Sequence, residues 1–119
     1  MYDLPKGTTF EFLRNQELEL LCFGPYAVTL HFGGGIQIQI EGSFAHTITE
    51  HRATPEASHF PLSESQLMRL LLQRVTQVTV KRNGTLTLGF GNGDALVIDG
   101  NVGPYESYNV SHPHGLLVV

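Results

Sequence analysis

The residues best placed to do chemistry are Asp94, Tyr105, Glu106 and Tyr108. Asp94 follows a Gly-Asn-Gly turn and falls where the strand pattern asks for an apolar side chain. Such an acid either caps the turn or serves a site. Tyr105-Glu106-Ser107-Tyr108 alternates aromatic rings with groups that give and accept hydrogen bonds, a composition favoured at binding surfaces. The bland alternative is a strand whose tyrosine rings lie on the core with their hydroxyls at the surface. Asp94, Asp99 and Glu106 all fall near strand ends, and acid–base work would need them to converge in one pocket.

Other chemistries find less support. Six histidines are present, among them His112 and His114 two apart and His46 and His51 five apart. No cysteine or carboxylate joins them at a recognised zinc spacing, so no metal and no cofactor is expected. The lone Cys22 falls on the expected inner face of a strand, where cysteine behaves as a small hydrophobe. No serine sits in a Gly-x-Ser-x-Gly elbow. No glycine-rich phosphate loop leads into a helix, since Gly33-Gly34-Gly35 joins two strands. No catalytic residue is therefore assigned.

The elements that would position these residues are mostly strands. Glu17–Phe23 alternates, with Leu18, Leu20 and Cys22 on one face and Leu21 and Phe23 on the other. Leu21 and Phe23 then make a candidate dimer patch. Val28, Leu30 and Phe32 face inward. After the triple glycine, Ile36, Ile38 and Ile40 do the same, which fixes the register as Phe32 with Ile36, Leu30 with Ile38 and Val28 with Ile40. Gly35 takes the left-handed position of that loop. Phe44–His51 reads as a strand with Phe44, His46 and Ile48 on one side, and Arg52–Pro61 as a loop. Ser63-Glu64-Ser65-Gln66 is a capping box, and the leucines after it predict a helix over about 64–74, packed on a sheet face. Strand periodicity returns at Val75. A second hairpin turns at Gly91-Asn92-Gly93, and Tyr105–Val110 reads as a further strand. The short apolar end from Leu116 is expected at a sheet edge.

Residues 17–42 and 75–100 can be laid over one another without a gap. Leu18, Leu20 and Cys22 then fall on Thr76, Val78 and Val80, Phe32 on Phe90, Ile36 on Asp94 and Ile40 on Ile98. Two pseudo-repeated three-stranded meanders follow, related by a pseudo-twofold axis. The expected fold is α+β, mainly antiparallel sheet, in one domain over residues 1–119.

Composition excludes several classes. The net charge is −4 with seven basic residues, which argues against a nucleic-acid partner. The apolar runs are too short to span a bilayer, so no membrane partner is expected, and the first residues lack a signal-peptide pattern. One cysteine fits a reducing cytoplasm.

Several motifs together carry a resemblance. They are Cys22-Phe23-Gly24-Pro25-Tyr26, Leu30-His31-Phe32, Ile40-Glu41-Gly42, Gly84-Thr85-Leu86, then Phe90 with Gly91-Asn92-Gly93-Asp94, and Tyr105-Glu106-Ser107-Tyr108. Over about residues 10–110 the chain resembles a family of small bacterial proteins of unknown function, with a Phe-x-Asn-Gly-Asp turn and a Tyr-Glu-Ser-aromatic terminal strand. The second aromatic of that strand, often Trp in similar chains, is Tyr108 here. The resemblance implies a bacterial cytoplasmic setting and supplies no activity. The expected function is a non-enzymatic protein-interaction domain, homodimeric, with an immunity-like toxin binder as a special case by analogy with other small β-rich domains. The alternative is a small-molecule binder or enzyme with its site near Asp94, Tyr105 and Glu106.

Overall fold

A computed structural model describes residues 9–25, 27–48, 56–58, 66–100, 108–113 and 115–118. The strands are β1 (Leu18–Phe23), β2 (Val28–Phe32), β3 (Ile36–Ile40), β4 (Phe44–Thr47), β5 (Glu56–Ser58), β6 (Val75–Val80), β7 (Leu86–Phe90), β8 (Ala95–Ile98), β9 (Tyr108–His112) and β10 (Gly115–Val118). They form two five-stranded antiparallel sheets, ordered β1-β2-β3-β9-β10 and β5-β4-β8-β7-β6. Each sheet is a three-stranded meander extended by two strands from elsewhere in the chain. β4 and β5 follow the first meander but join the second sheet, whereas β9 and β10 follow the second meander and join the first.

Alternation explains the core. Val28, Leu30, Ile38, Ile40 and Val110 from one sheet and Leu86, Leu88, Leu96, Ile98 and Phe44 from the other are all buried in a single cluster. The β2–β3 register is the one the triple glycine dictates, Phe32 opposite Ile36 and Val28 opposite Ile40. Gly34 and Gly35 there hold φ of 75° and 74°, a conformation glycine adopts without steric cost. Gly100 is required for a different reason: a β-carbon on it would overlap the backbone of Asn83 and Gly84. β10 lies at a sheet edge, where the apolar end was expected.

Three expectations are overturned. The helix over 64–74 is absent from its described part. Leu67–Leu70 makes a single 3-10 turn, Leu71 is extended, Leu72 has φ of 66°, and β6 begins at Val75. Residues 64 and 65 lie outside the described residues, and Gln66 makes no side-chain cap bond. The leucine spacing is real, but it is satisfied by burying Leu67 and Leu70 three apart on one short turn. The loop expected over 52–61 contains β5, which pairs with β4 so that Glu56 lies opposite His46 in the register.

The third correction concerns β1. The ladder shifts register between Leu18 and Leu20, and β6 has the same irregularity between Val75 and Gln77. One extra residue in a strand reverses every side chain beyond it. Leu18 is buried, Leu20 and Cys22 are exposed, and Leu21 packs against the core. Cys22 is therefore not an inner-face residue, and Leu21 does not belong to an outer face. In β6, Val75 is buried, Thr76 is exposed, and Val78 and Val80 pack against the core.

The two bulged strands meet at their starts. Glu17 bridges Arg74 in the backbone. Leu18 donates its N–H to the Gln73 carbonyl at 3.0 Å and accepts from the Leu72 N–H at 2.7 Å. Val75 donates to the Gln16 carbonyl at 2.9 Å and accepts from the Asn15 N–H at 2.7 Å. A 3-10 turn precedes each strand, Glu11–Leu13 before β1 and Leu67–Leu70 before β6.

Candidate functional site

Asp94 is held by the turn between β7 and β8. The Phe90 N–H donates to the Asp94 carbonyl and the Gly93 N–H to the Phe90 carbonyl, both at 2.9 Å. Gly93 has φ of 90°, and the Asn92 side chain accepts from the Asp94 N–H at 2.9 Å while donating to the Arg69 carbonyl at 3.2 Å. The turn thus keeps the inward side-chain direction at a position where a carboxylate must find partners, because an isolated buried charge is very costly.

Those partners are His46 and Arg69. The Asp94 carboxylate accepts from His46 Nε2 at 2.9 Å and from Arg69 Nε at 3.1 Å, with Arg69 Nη2 at 3.4 Å from its other oxygen. The His46 and Asp94 side chains are wholly buried, and that of Arg69 is 31 % exposed, so the guanidinium reaches inward from the surface. Since carboxylate oxygens only accept, geometry assigns the proton to Nε2. Nδ1 is buried and, among the described residues, makes no hydrogen bond. The arrangement ties β4, the Leu67–Leu70 turn and the β7–β8 turn together through one carboxylate.

The other expected site residues do not gather here. Tyr105 and Glu106 lie outside the described residues. Tyr108 is fully buried, and its hydroxyl donates to the Gly84 carbonyl at 2.6 Å. Gly84 precedes β7 and Asp94 follows it, so five strand residues, roughly 15 Å, separate the two groups. Burial pushes the Tyr108 phenol well above the ordinary tyrosine range. Leu21 lies half-buried against the core, and Phe23, at the end of β1, is 48 % exposed.

His46 and Arg69 were not among the residues singled out from sequence. His46 could have been: it stands between Phe44 and Ile48 on the inward side of its strand, where a histidine needs a buried partner. Arg69 offered no signal, because the helical reading of its segment rested on the leucines around it and gave Arg69 no role. A thiol–imidazole pair, Cys22 Sγ with His31 Nε2 at 3.6 Å, lies on the outer face of β1 and β2. Among the described residues no carboxylate orients His31, and the pair stands on an open sheet face rather than in a cleft. Among the described residues, no three His, Cys, Asp or Glu side chains gather as metal ligands, and no helix is long and apolar enough to cross a membrane.

Among the described residues, two antiparallel sheets enclose one core that holds the buried His46–Asp94–Arg69 cluster, and no α-helix is present. The chain belongs to the family of unknown function DUF6188, whose family model matches residues 11–119. Comparison with curated proteins and with solved structures finds no match.

Proposed function

We propose that this protein is a non-enzymatic interaction domain of the bacterial cytoplasm that works as a homodimer. The observation that carries this reading is the concentration of exposed apolar side chains about β1. Leu20, Phe23 and Leu72 are 51 %, 48 % and 68 % exposed, and the Leu72 backbone is bonded to Leu18 at the start of the strand. Apolar residues clustered at a strand edge mark a contact surface or an aggregation hazard, and a functional protein keeps the former. The interior supports the same reading, since the best-placed acid–base pair, His46 and Asp94, is closed off from substrate.

The immunity-like role is one form of this reading, in which the surface also meets a toxin. Native mass spectrometry across a range of concentrations tests the dimer. A dimer that dissociates on dilution is expected, and a concentration-independent monomer mass overturns the reading.

We further infer that the chain is two copies of one unit. The bonds of Leu18 to Leu72 and Gln73 have their counterparts in those of Val75 to Asn15 and Gln16. Both Asn15 and Leu72 have positive φ, 69° and 66°, and both following strands carry a bulge at the same place. These features pair Leu18 with Val75, one residue away from the Thr76 that gapless alignment gives it.

One observation favours the small-molecule alternative: among the described residues, Nδ1 of His46 beside Asp94 makes no hydrogen bond. It predicts a retained ligand mass in the same spectra, lost on His46→Val.

A further inference from the structure

Resting on the homodimer reading, we infer that the second copy docks on the open edge of β1, pairing β1 with its twin antiparallel about Cys22. The backbone sets the register. The Gly24 N–H bonds the Ala27 carbonyl and the Gly33 N–H bonds the Glu17 carbonyl, which anchors both ends of the β1–β2 ladder. Antiparallel bonding alternates, so opposite Leu30 and Val28 the N–H and C=O of Leu21 and Phe23 turn away from β2. Among the described residues nothing pairs with that side of β1 beyond Leu18, whose own edge groups are taken by Leu72 and Gln73.

A twin strand centred on Cys22 sets Leu21 against Phe23 of the second copy, and the reverse. That makes two hydrogen-bonded pairs flanking a non-bonded Cys22 pair. The half-exposed Leu21 and Phe23 side chains then cover each other on the core side. The run Leu20-Leu21-Cys22-Phe23 carries no charge. In this register each Glu19 falls opposite Pro25 of the other copy rather than opposite its own twin. The contact therefore avoids like-charge facing in a chain of net charge −4.

The matching edge of β6 shows what a closed design looks like. There Val78 and Val80 turn their backbone outward, as the Lys81 N–H to Thr85 carbonyl bond requires. The exposed neighbours are Gln77, Thr79, Lys81 and Arg82, with Asn15 at the strand start. Charged and polar side chains are the common protection of a free edge. β1 has Leu20 and Cys22 in the places of Gln77 and Thr79, Gly24 and Pro25 in those of Lys81 and Arg82, and Leu72 in that of Asn15. One fold position is thus built twice, once guarded and once adhesive. Leu72 occupies a left-handed conformation unfavourable to leucine while 68 % exposed, which is accounted for if the second copy's Gly24-Pro25 turn covers it.

Cys22 is the only cysteine in the chain, so it reports the register directly. Directly opposed non-bonded residues have Cα atoms about 4.5 Å apart, within disulfide range. The experiment treats the intact chain with diamide, where each of two thiols gives up a proton and an electron and the diamide is reduced to its hydrazine. A reductant-reversible dimer at twice the 13.1 kDa chain is expected. Phe23→Pro removes an N–H that faces away from β2, so the sheet persists while the dimer and the cross-link are both lost. Phe23→Lys does the same by charge. Val80→Pro, at the matching edge, changes neither. A native dimer that survives both Phe23 variants, or that gives no cross-link, overturns this docking mode and leaves the dimer itself standing. A monomer at every concentration overturns both.

Discussion

At the scale of single residues, Tyr108 shows how a side chain with the chemistry of a binding site is spent on structure. Its ring is enclosed, meeting Phe10 edge-on at 6.5 Å between centroids, and its hydroxyl closes on the Gly84 carbonyl. Burial raises its ionisation above the ordinary range because the phenolate would have to leave water. The sign follows from linkage. The folded state holds the phenol proton more tightly than the unfolded chain does. The stabilisation from keeping Tyr108 neutral is therefore complete below the unfolded value of about 10, and is lost as pH rises beyond it. Urea midpoints measured from pH 8 to 11 should fall steeply above about pH 10. In Tyr108→Phe the unfolding free energy should be lower by about 1 kcal/mol at pH 8, for the lost hydrogen bond, with a correspondingly lower midpoint, and the alkaline slope should shrink. A Tyr108→Phe slope equal to the parent's would mean that another group titrates.

Among the elements, the turns before β1 and β6 are the informative ones. Leu72 sits at φ of 66° where Asn15 holds φ of 69°, and asparagine tolerates that region far better than leucine. Leu72→Asn should stabilise the monomer by about 1 kcal/mol, read as a raised urea midpoint at a dilution where no dimer is populated. An unchanged or lowered midpoint would show that Leu72 contributes packing the turn needs. The same turns mark where the sequence stopped being legible. Alternation identified β2, β3, β7 and β8 and their inward residues, because one face of each is buried and a slip would expose all of it. It failed in β1 because a bulge leaves no mark on composition: Leu18, Leu20 and Cys22 are all apolar, and only tertiary pairing reveals that Leu18 stays inside while Leu20 and Cys22 turn outward. It failed again at Leu67–Leu72, where helical spacing over so short a stretch is equally served by one 3-10 turn. Asp94 stood out as an acid in an apolar pattern. Its partners did not, since His46 and Arg69 reach it only through the pairing of β4 with β8 and the docking of a turn distant in sequence.

For the molecule as a whole, the proposed equivalence of its halves makes the buried cluster stand out. In the first sheet, the places of Asp94, His46 and Arg69 are held by Ile36, Val110 and Phe12, of which Ile36 and Val110 are buried. On that proposed equivalence the same architecture is completed once with apolar side chains and once with the buried His46–Asp94–Arg69 cluster, which predicts that the fold does not demand the polar groups. Breaking such a cluster and replacing it have opposite consequences. Asp94→Ala alone strands the His46 imidazole and one side of Arg69, and should cost about 3 kcal/mol, near the low end for a buried pair because Arg69 still reaches solvent. Replacing all three together, as His46→Val, Arg69→Phe and Asp94→Ile, copies the first sheet's solution into the second. That triple variant should recover at least the parent stability, and buried triads exchanged for packed apolar groups have gained ~1–4 kcal/mol. Chemical denaturation at matched protein concentration compares parent, single and triple variants on one scale. Were the triple less stable than Asp94→Ala, the two halves would not be equivalent at these positions, and the cluster would have to be counted among the interactions that hold the second sheet together.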